Sequence, residues 1–345
     1  MINFSYTRAG NVAEAVSAKS KANGTGRFIA GGTNLVDLLK ENVERPRQVI
    51  DITRLPLKTI EEGPDGGLRL GALATNADTA YHPEVQRRYP ALSRAILAGA
   101  SAQLRNMATN GGNLLQRTRC YYFYDVAMPC NKRELGSGCP AIEGQNRVCG
   151  VLGTSDQCIA THPSDMCIAL AALEAVVRVS GPRGERTIPF AEFHTLPGHT
   201  PNIETTLQAD EVITAIDLPE NPYAEHSVYT KVRDRASYAF ALVSVAALLE
   251  MDGDTIKSAR IALGGVAHKP WRLPEAEALL TGKAATKENF LPIATALFRG
   301  ARGYEHNAFK IELGKRAVVR ALQLATRGTA AVKGVNGQTA DAGTR

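Results

Sequence analysis

Apolar and polar residues alternate along this chain with periods that change from one segment to the next. "NVAEAVSAKSKAN" has the spacing of a short helix, and "RFIAGGTNLVDLLKENV" passes from a strand pattern through Gly31-Gly32 into helical spacing. Either Thr33 or Asn34 is available to cap that second helix. "RQVIDITRL" predicts a strand that ends this first α/β unit, and "SDMCIALAALEAVV" predicts a later helix capped by Ser164.

From about Tyr229 the pattern changes to long strands. "YTKVRDRASYAFALVSVAALLEM" and "IKSARIALGGVAHKPWRL" predict strands, and three segments with helical spacing follow them. Strands and helices grouped in separate blocks predict an α+β fold rather than a doubly wound sheet. The tail, residues 328–345, is rich in Gly, Ala and Thr without periodicity, so we predict that it is disordered.

Length and charge narrow the possible classes of protein. A chain of 345 residues exceeds what one hydrophobic core usually supports, so two or three domains are expected. The net charge of +6 is spread over pairs such as Arg87-Arg88 rather than runs, so no nucleic-acid partner is expected. The first residues lack the apolar core of a signal peptide, and no segment has transmembrane length, which predicts cytoplasmic assembly and no membrane association.

The cysteines are confined to one part of the chain. All six lie between residues 120 and 167, and stable disulfides are rare in the reducing cytosol. No C-x-x-C pair is present, which argues against a zinc site. Four thiolates from a long loop suit a [4Fe–4S] cluster, which needs no tight local pair.

Two glycine-rich segments are candidate phosphate-binding turns. "AGGTNL" and "ATNGGN" each place small residues where backbone N–H groups can approach a diphosphate closely. Neither segment is a G-x-G-x-x-G fingerprint or a P-loop, and each glycine pair alone could simply shape a tight turn.

Four segments together resemble a known family. "FIAGGTNLVDLLK", "LRNMATNGGNLL", "THPSDMCIALAALEA" and "ALGGVAHKPWR" are similar to the flavin-binding medium subunit of molybdenum hydroxylases, the family of xanthine dehydrogenase, carbon monoxide dehydrogenase and aldehyde oxidoreductase. The resemblance implies an FAD-binding domain of the PCMH type (vanillyl-alcohol oxidase-like) over residues 1–222, followed by a flavoprotein C-terminal domain over 223–327. Within the first domain it implies subdomains 1–56 and 57–222, the second with an insert at 116–160.

The resemblance also implies which residues contact FAD. Two glycine-rich segments, a Ser-Asp pair with a nearby histidine, and one lysine occupy the matching positions. They are Ala30, Gly31, Gly32, Thr33, Asn34, Leu35, Ala108, Thr109, Gly111, Gly112, Asn113, His162, Ser164, Asp165 and Lys231. The sequence departs from the family at Asn110, where many relatives have an aliphatic residue, and in "LQADEVI", where many have Pro-Gly before the Glu.

The cysteine-rich insert resembles that of three-subunit aldehyde oxidoreductases, which carry a [4Fe–4S] cluster beside FAD. The resemblance implies the ligands Cys120, Cys130, Cys139 and Cys158. Cys149 is the alternative to Cys158, but relatives can have another residue at its position. Cys167 lies on an apolar helix and is interpreted as a small buried residue.

The expected function is electron transfer in a heterotrimer. A large partner would carry the molybdenum cofactor and a small partner two [2Fe–2S] clusters, with FAD passing electrons to an external acceptor. No catalytic residue for aldehyde oxidation is expected in this chain. Export to the periplasm on a signal of the small subunit is compatible with the resemblance. The alternatives are a medium subunit of a hydroxybenzoyl-CoA reductase-type or xanthine dehydrogenase-type complex, or a non-redox structural adaptor with a metal site.

Overall fold

The computed structural model describes residues 1–332. The first part of the chain forms a small parallel sheet with one central strand, in the order β1-β3-β2. Its elements are β1 (Ser5–Arg8), α1 (Val12–Lys21), β2 (Gly26–Ile29), α2 (Leu35–Lys40) and β3 (Gln48–Asp51). Ala15, Val16 and Ile50 are buried in a hydrophobic cluster that also contains Leu73 and Val212 from the second part of the chain.

The second part contains an antiparallel sheet in the order β4-β5-β8-β6-β7. Its strands are β4 (Ile60–Glu62), β5 (Leu68–Gly71), β6 (Val176–Gly181), β7 (Gly184–Pro189) and β8 (Val212–Leu218). The helices in this part are α3 (Asn76–Tyr81), α4 (Pro83–Arg88), α5 (Pro90–Ala98), α6 (Ala102–Arg105), α7 (Asn110–Leu114), α8 (Tyr121–Tyr124), α9 (Asp165–Ala172) and α10 (Phe190–Phe193). Between α8 and α9 lies a long segment, residues 125–164, without regular secondary structure.

The third part is a second antiparallel sheet backed by two long helices. Its elements are β9 (Ser227–Val232), β10 (Val243–Asp252), β11 (Thr255–Gly264), β12 (Trp271–Arg272), α11 (Pro274–Glu277), β13 (Lys283–Ala284), α12 (Lys287–Leu297) and α13 (Phe309–Thr326). Strand β10 is buried on both faces: Ala246 and Leu248 pack in the core with α9, whereas Val245, Ala247 and Leu249 pack in the core with α13. This double burial explains why β10 reads as a continuous apolar run.

The structure confirms the α+β class, and Ser164 caps α9 by accepting a hydrogen bond from the Cys167 N–H at 3.0 Å. The segment of long strands predicted from about Tyr229 contains two strands: β9 ends at Val232, and residues 233–242 form a loop before β10. In the predicted tail, the Thr329 hydroxyl donates to the carbonyl of Ala224 at 2.8 Å, and residues 333–345 lie outside the described part of the chain.

None of the helices within residues 1–332 combines the length and apolarity that a membrane crossing requires.

Candidate functional site

A cleft of about 1400 Å³ lies where the three parts of the chain meet. All fifteen residues expected to contact the cofactor line this single cleft. They come from the loop after β2, the turn into α7, the start of α9 and strand β9, so residues far apart in sequence share one surface.

The two glycine-rich segments touch each other in the cleft wall. A Cβ atom at Gly31 would lie 1.8 Å from the carbonyl oxygen of Met107, so only glycine fits at this contact. Gly32 has a φ of +72°, in the left-handed region that glycine adopts without strain. The glycines therefore bring the two segments together and turn the chain toward the cleft.

Backbone N–H groups in the first glycine-rich segment face the cleft without protein partners. Within the described residues, the amides of Gly31, Gly32, Thr33, Asn34 and Leu35 donate to no protein acceptor. Successive free amides of this kind form a positively polarised concavity that suits an anion.

Asn34 has a different role from the predicted cap. It precedes α2 but makes no capping hydrogen bond with its side chain. Its Oδ1 instead accepts a hydrogen bond from the Arg117 N–H at 2.9 Å. The side chain thus ties the first glycine segment to the start of the cysteine-rich insert.

The opposite wall is held by a buried ion pair. Lys231 Nζ lies 2.8 Å from Asp165 Oδ2, and both side chains are almost fully buried. Tyr229 donates a hydrogen bond from its hydroxyl to Asp165 Oδ1 at 2.5 Å, so the carboxylate has two partners. Asp165 at the start of α9 and Lys231 on β9 therefore join the second and third parts of the fold beside the cleft.

His162 belongs to a compact pair of neutral imidazoles. Its ring centroid lies 4.3 Å from that of His194, and each Nε2 faces the carbonyl oxygen of Leu114. Burial lowers the pKa of both imidazoles, that of His194 to about 4. His162 thus supplies an uncharged part of the cleft wall.

Sequence reasoning missed the loop between β9 and β10. Tyr238, Phe240 and the neighbouring backbone of this loop line the cleft mouth, and the Arg119 guanidinium lies 5.1 Å from the Phe240 ring centroid. The charged stretch "RDR" at residues 233–235, which interrupts the apolar alternation, was the available signal.

The cysteine-rich insert encloses a second, much smaller cavity. Cys120, Cys130, Cys139 and Cys158 all line it. Cys120 and Cys158 are buried, whereas Cys130 and Cys139 are partly exposed. The four cysteines predicted as ligands therefore converge, although they span nearly forty positions of the chain.

Cys149 lies beside this group but does not line the cavity. A hydrogen bond between its thiol and that of Cys120 lowers the pKa of Cys120 to about 7. The Cys149 carbonyl accepts hydrogen bonds from Lys310 Nζ at 2.9 Å and from Asn307 Nδ2 at 3.4 Å. Cys167 is fully buried in α9, and burial raises the pKa of its thiol to about 12.

Helix α8 separates the cleft from the cysteine cavity. Tyr121 and Tyr124 line the cleft, whereas Tyr122 and Phe123 line the cavity. This division follows from helical geometry, in which residues three apart share a face. The aromatic run "YYFY" is therefore a thin partition between two candidate cofactor sites.

Models of two protein families match this chain. The FAD binding domain in molybdopterin dehydrogenase matches residues 2–221, and the CO dehydrogenase flavoprotein C-terminal domain matches residues 227–325.

Individual relatives agree with these matches. The aldehyde oxidoreductase FAD-binding subunit PaoB of Escherichia coli is 52% identical over 320 residues, covering 92% of this chain and 97% of PaoB. The carbon monoxide dehydrogenase medium chain of Hydrogenophaga pseudoflava is 28% identical over 288 residues, covering 83% of this chain and 82% of the relative.

Solved structures show the same architecture. A chain in the structure of carbon monoxide dehydrogenase from Hydrogenophaga pseudoflava, in a form lacking the Mo-pyranopterin moiety of its cofactor, superposes with a TM-score of 0.74 at 27% identity. The superposition covers 94% of this chain and 98% of that one. Given these matches over nearly the whole described length, the chain belongs to the family of FAD-binding medium subunits of molybdenum hydroxylases.

Proposed function

We propose that this chain is the FAD- and [4Fe–4S]-containing electron-transfer subunit of a heterotrimeric, molybdenum-dependent aldehyde oxidoreductase. The observation that carries the proposal is the convergence of four cysteines on one cavity beside a cleft of dinucleotide size. The 52% identity to a subunit of an aldehyde oxidoreductase supports aldehydes as the substrate class. Aldehyde oxidation would occur in a large molybdenum-cofactor subunit, and a small [2Fe–2S] subunit would deliver the electrons.

The cleft residues fit FAD. The volume of the cleft exceeds the range of about 300–1,000 Å³ that is typical of small-ligand sites, and a dinucleotide needs such a large site. The free amides of residues 31–35 would hold the diphosphate, with Gly31 and Gly32 allowing close approach. Thr109, Asn113 and Ser164 offer polar atoms on the facing wall. Bound FAD would accept and donate electrons either singly or in pairs, while this chain would orient the FAD and limit its contact with water.

The cysteine cavity fits a four-thiolate cluster. Its lining contains Cys120, Cys130, Cys139 and Cys158 together with apolar and amide side chains. In this proposal Cys149, whose thiol is hydrogen-bonded to that of Cys120, would support the Cys120 sulfur and would not be a ligand. Such a cluster would supply one-electron transfer, with Phe123 and Tyr122 shielding it on the side of α8.

Purification of the chain together with its partner subunits tests this proposal. FAD, iron and acid-labile sulfide are measured per chain, and the optical and EPR spectra are recorded before and after addition of an aldehyde. We expect bound flavin, a sulfide content that matches the iron content, and aldehyde-dependent reduction of a dye acceptor.

The other outcomes separate the alternatives. A well-folded complex without flavin or iron contradicts the proposal and favours a structural adaptor. A flavin- and iron-containing complex that oxidises purines, or reduces a hydroxybenzoyl thioester, contradicts only the aldehyde assignment.

A further inference from the structure

Lys132 is a buried cation at the cysteine cavity. It follows Cys130 by two residues and lines the cavity, and its side chain is only 1% exposed. Its Nζ lies 2.5 Å from Glu204 Oε1, 3.0 Å from the carbonyl oxygen of Pro201 and 2.5 Å from His268 Nε2. All three partners lie later in the sequence than the cysteine-containing segment, so the position of the Lys132 ammonium is fixed by other parts of the fold.

The contacts of His268 show which group donates the hydrogen bond between Lys132 and His268. His268 Nδ1 faces the carbonyl oxygen of Thr195 at 2.9 Å, and a carbonyl can only accept, so Nδ1 carries the ring proton. Burial, together with the charge of Lys132, lowers the pKa of His268 to about 4, so the ring is neutral and its Nε2 accepts. Lys132 is therefore the donor in this contact, as it is toward Glu204 and the carbonyl of Pro201.

Glu204 is the counter-charge. Burial opposes its ionisation, but the charges of Lys132 and Arg117 outweigh burial and lower the pKa of Glu204 to about 2. Its second oxygen, Oε2, accepts a hydrogen bond from Arg117 Nε at 2.7 Å. The carboxylate thus lies between the cation at the cysteine cavity and a cation that lines the flavin cleft.

The side chains that line the cysteine cavity differ in charge. Among the described residues that line it, Lys132 is the only one with a charged side chain. Arg133, the next residue, directs its guanidinium to the carbonyl oxygens of Tyr122 and Phe123, both at 2.7 Å. Charges interact strongly where water is excluded, so this ammonium acts directly on the cavity, whereas Arg133 and the buried Lys310 act on Cys130 and Cys149 from outside its lining.

We propose that Lys132 raises the reduction potential of the cluster held by the four cysteines, and that Glu204 attenuates this effect. The inference rests on the proposed function. A one-electron reduction, with the small partner subunit as the proposed donor, would add one negative charge to a group already made anionic by four thiolates. A fixed ammonium stabilises the reduced form more than the oxidised form, and a neighbouring carboxylate does the opposite. If the cluster passes electrons on to FAD, the Lys132–Glu204 pair would set the driving force of that transfer.

A redox titration of the purified complex, followed by EPR, tests the inference. Lys132→Met should shift the midpoint potential of the cluster to a more negative value, Lys132→Arg should keep it near that of the wild type, and Glu204→Gln should shift it to a more positive value. Lys269→Met is the matched control, since Lys269 lies outside the cavity lining and donates to the carbonyl of Ala191. Iron, sulfide and FAD per chain are measured for every variant.

The inference is supported if the midpoint potential shifts in opposite directions in Lys132→Met and Glu204→Gln. A merely structural role of the two residues predicts no such difference in sign. Unchanged potentials in iron-replete variants, or shifts in the same direction, would overturn it while leaving the proposed function intact. If the Lys132→Met variant does not hold the cluster, the Glu204→Gln variant tests the inference alone. A midpoint potential of the cluster that is not higher in Glu204→Gln than in the wild type would overturn it. A wild-type complex without iron and sulfide would instead contradict the proposed function itself.

Discussion

Gly31 occupies a position at which no side chain fits. Met107 occupies the space that a Cβ would need, with its carbonyl oxygen 1.8 Å and its carbonyl carbon 2.6 Å from that position. Both atoms belong to backbone, which cannot rotate away as a side chain can. The contact therefore fixes the distance between the two glycine-rich segments that line the cleft.

Gly31→Ala should separate these segments and weaken FAD binding. Overpacking of this kind costs about 1–3 kcal/mol, and if that cost falls on the FAD-binding conformation it corresponds to a loss of affinity of about five-fold to 150-fold. Flavin fluorescence during titration of the flavin-depleted protein measures the change. Gly10→Ala is the control, because its Cβ would meet only the flexible end of Glu14. Equal affinity in the wild type and Gly31→Ala would show that the contact does not shape the site.

The cysteines allow a second test of single residues. Cys158→Ser removes a sulfur that lines the cavity, whereas Cys149→Ser removes one that lies beside it. We expect Cys158→Ser to lose most acid-labile sulfide and Cys149→Ser to retain it. The reverse result would transfer the ligand role to Cys149.

Among the elements, the four-residue helix α8 shows how much function a short segment can position. Phe123 is fully buried, and the Arg117 guanidinium lies 4.6 Å from its ring centroid. Tyr121 on the other face is 60% exposed. One helical turn thus presents a core residue to the cysteine cavity and an accessible ring to the cleft.

Two substitutions on α8 should therefore differ strongly. Phe123→Ala should lower the free energy of unfolding by about 3–5 kcal/mol, the usual cost of deleting a buried aromatic ring. Tyr121→Ala should change it by less than about 0.5 kcal/mol, as is usual for an exposed position. Denaturant titration of both variants measures the difference, and similar costs would mean that α8 does not pack as described.

The loop 233–242 shows what the sequence pattern leaves open. The apolar positions of "YTKVRDRASYAFALVSV" continue on both sides of the charged residues, so the alternation alone does not indicate where one strand ends and the next begins. The structure bends the chain there, and Tyr238 adopts a positive φ of 50°. Nothing local marks this tyrosine for such a conformation, because the requirement comes from the cleft mouth that the loop surrounds.

At the scale of the whole molecule, buried histidines couple stability to pH. His194 is almost completely buried, and its Nδ1 has no hydrogen-bond partner within the described part of the chain. Burial lowers its pKa from 6.5 to about 4, so the unfolded chain binds a proton at a higher pH than the folded chain does. The contribution to stability is complete above pH 6.5 and is lost as the pH falls toward 4.

The free energy of unfolding should therefore fall by about 1.4 kcal/mol per pH unit on account of His194 between pH 6.5 and 4.5. His194→Gln should show a correspondingly shallower slope in denaturant titrations across this range. His199→Gln, the same substitution at an exposed position, is the matched control. Parallel slopes for the wild type and His194→Gln would contradict the assignment.

The local features of this fold could be predicted, and the long-range ones could not. The first α/β unit, the capped helix α9 and the two glycine segments each have their signal within a few consecutive residues. The pairing of Arg117 with Glu204 joins positions 87 residues apart, and "NIETT" around Glu204 has no pattern that distinguishes it from an ordinary loop. Such ion pairs depend on how complete sheets pack together, which a single sequence does not encode in any local period.

The contacts to Cys149 also bear on how the protein is made. Its carbonyl is held by Asn307, a residue synthesised 158 positions later, and by Lys310 soon after. Until residues 307–310 have been synthesised, the segment around Cys149 lacks these two contacts. The final position of Cys149 beside the cavity therefore depends on residues that are added when about nine tenths of the chain is already complete.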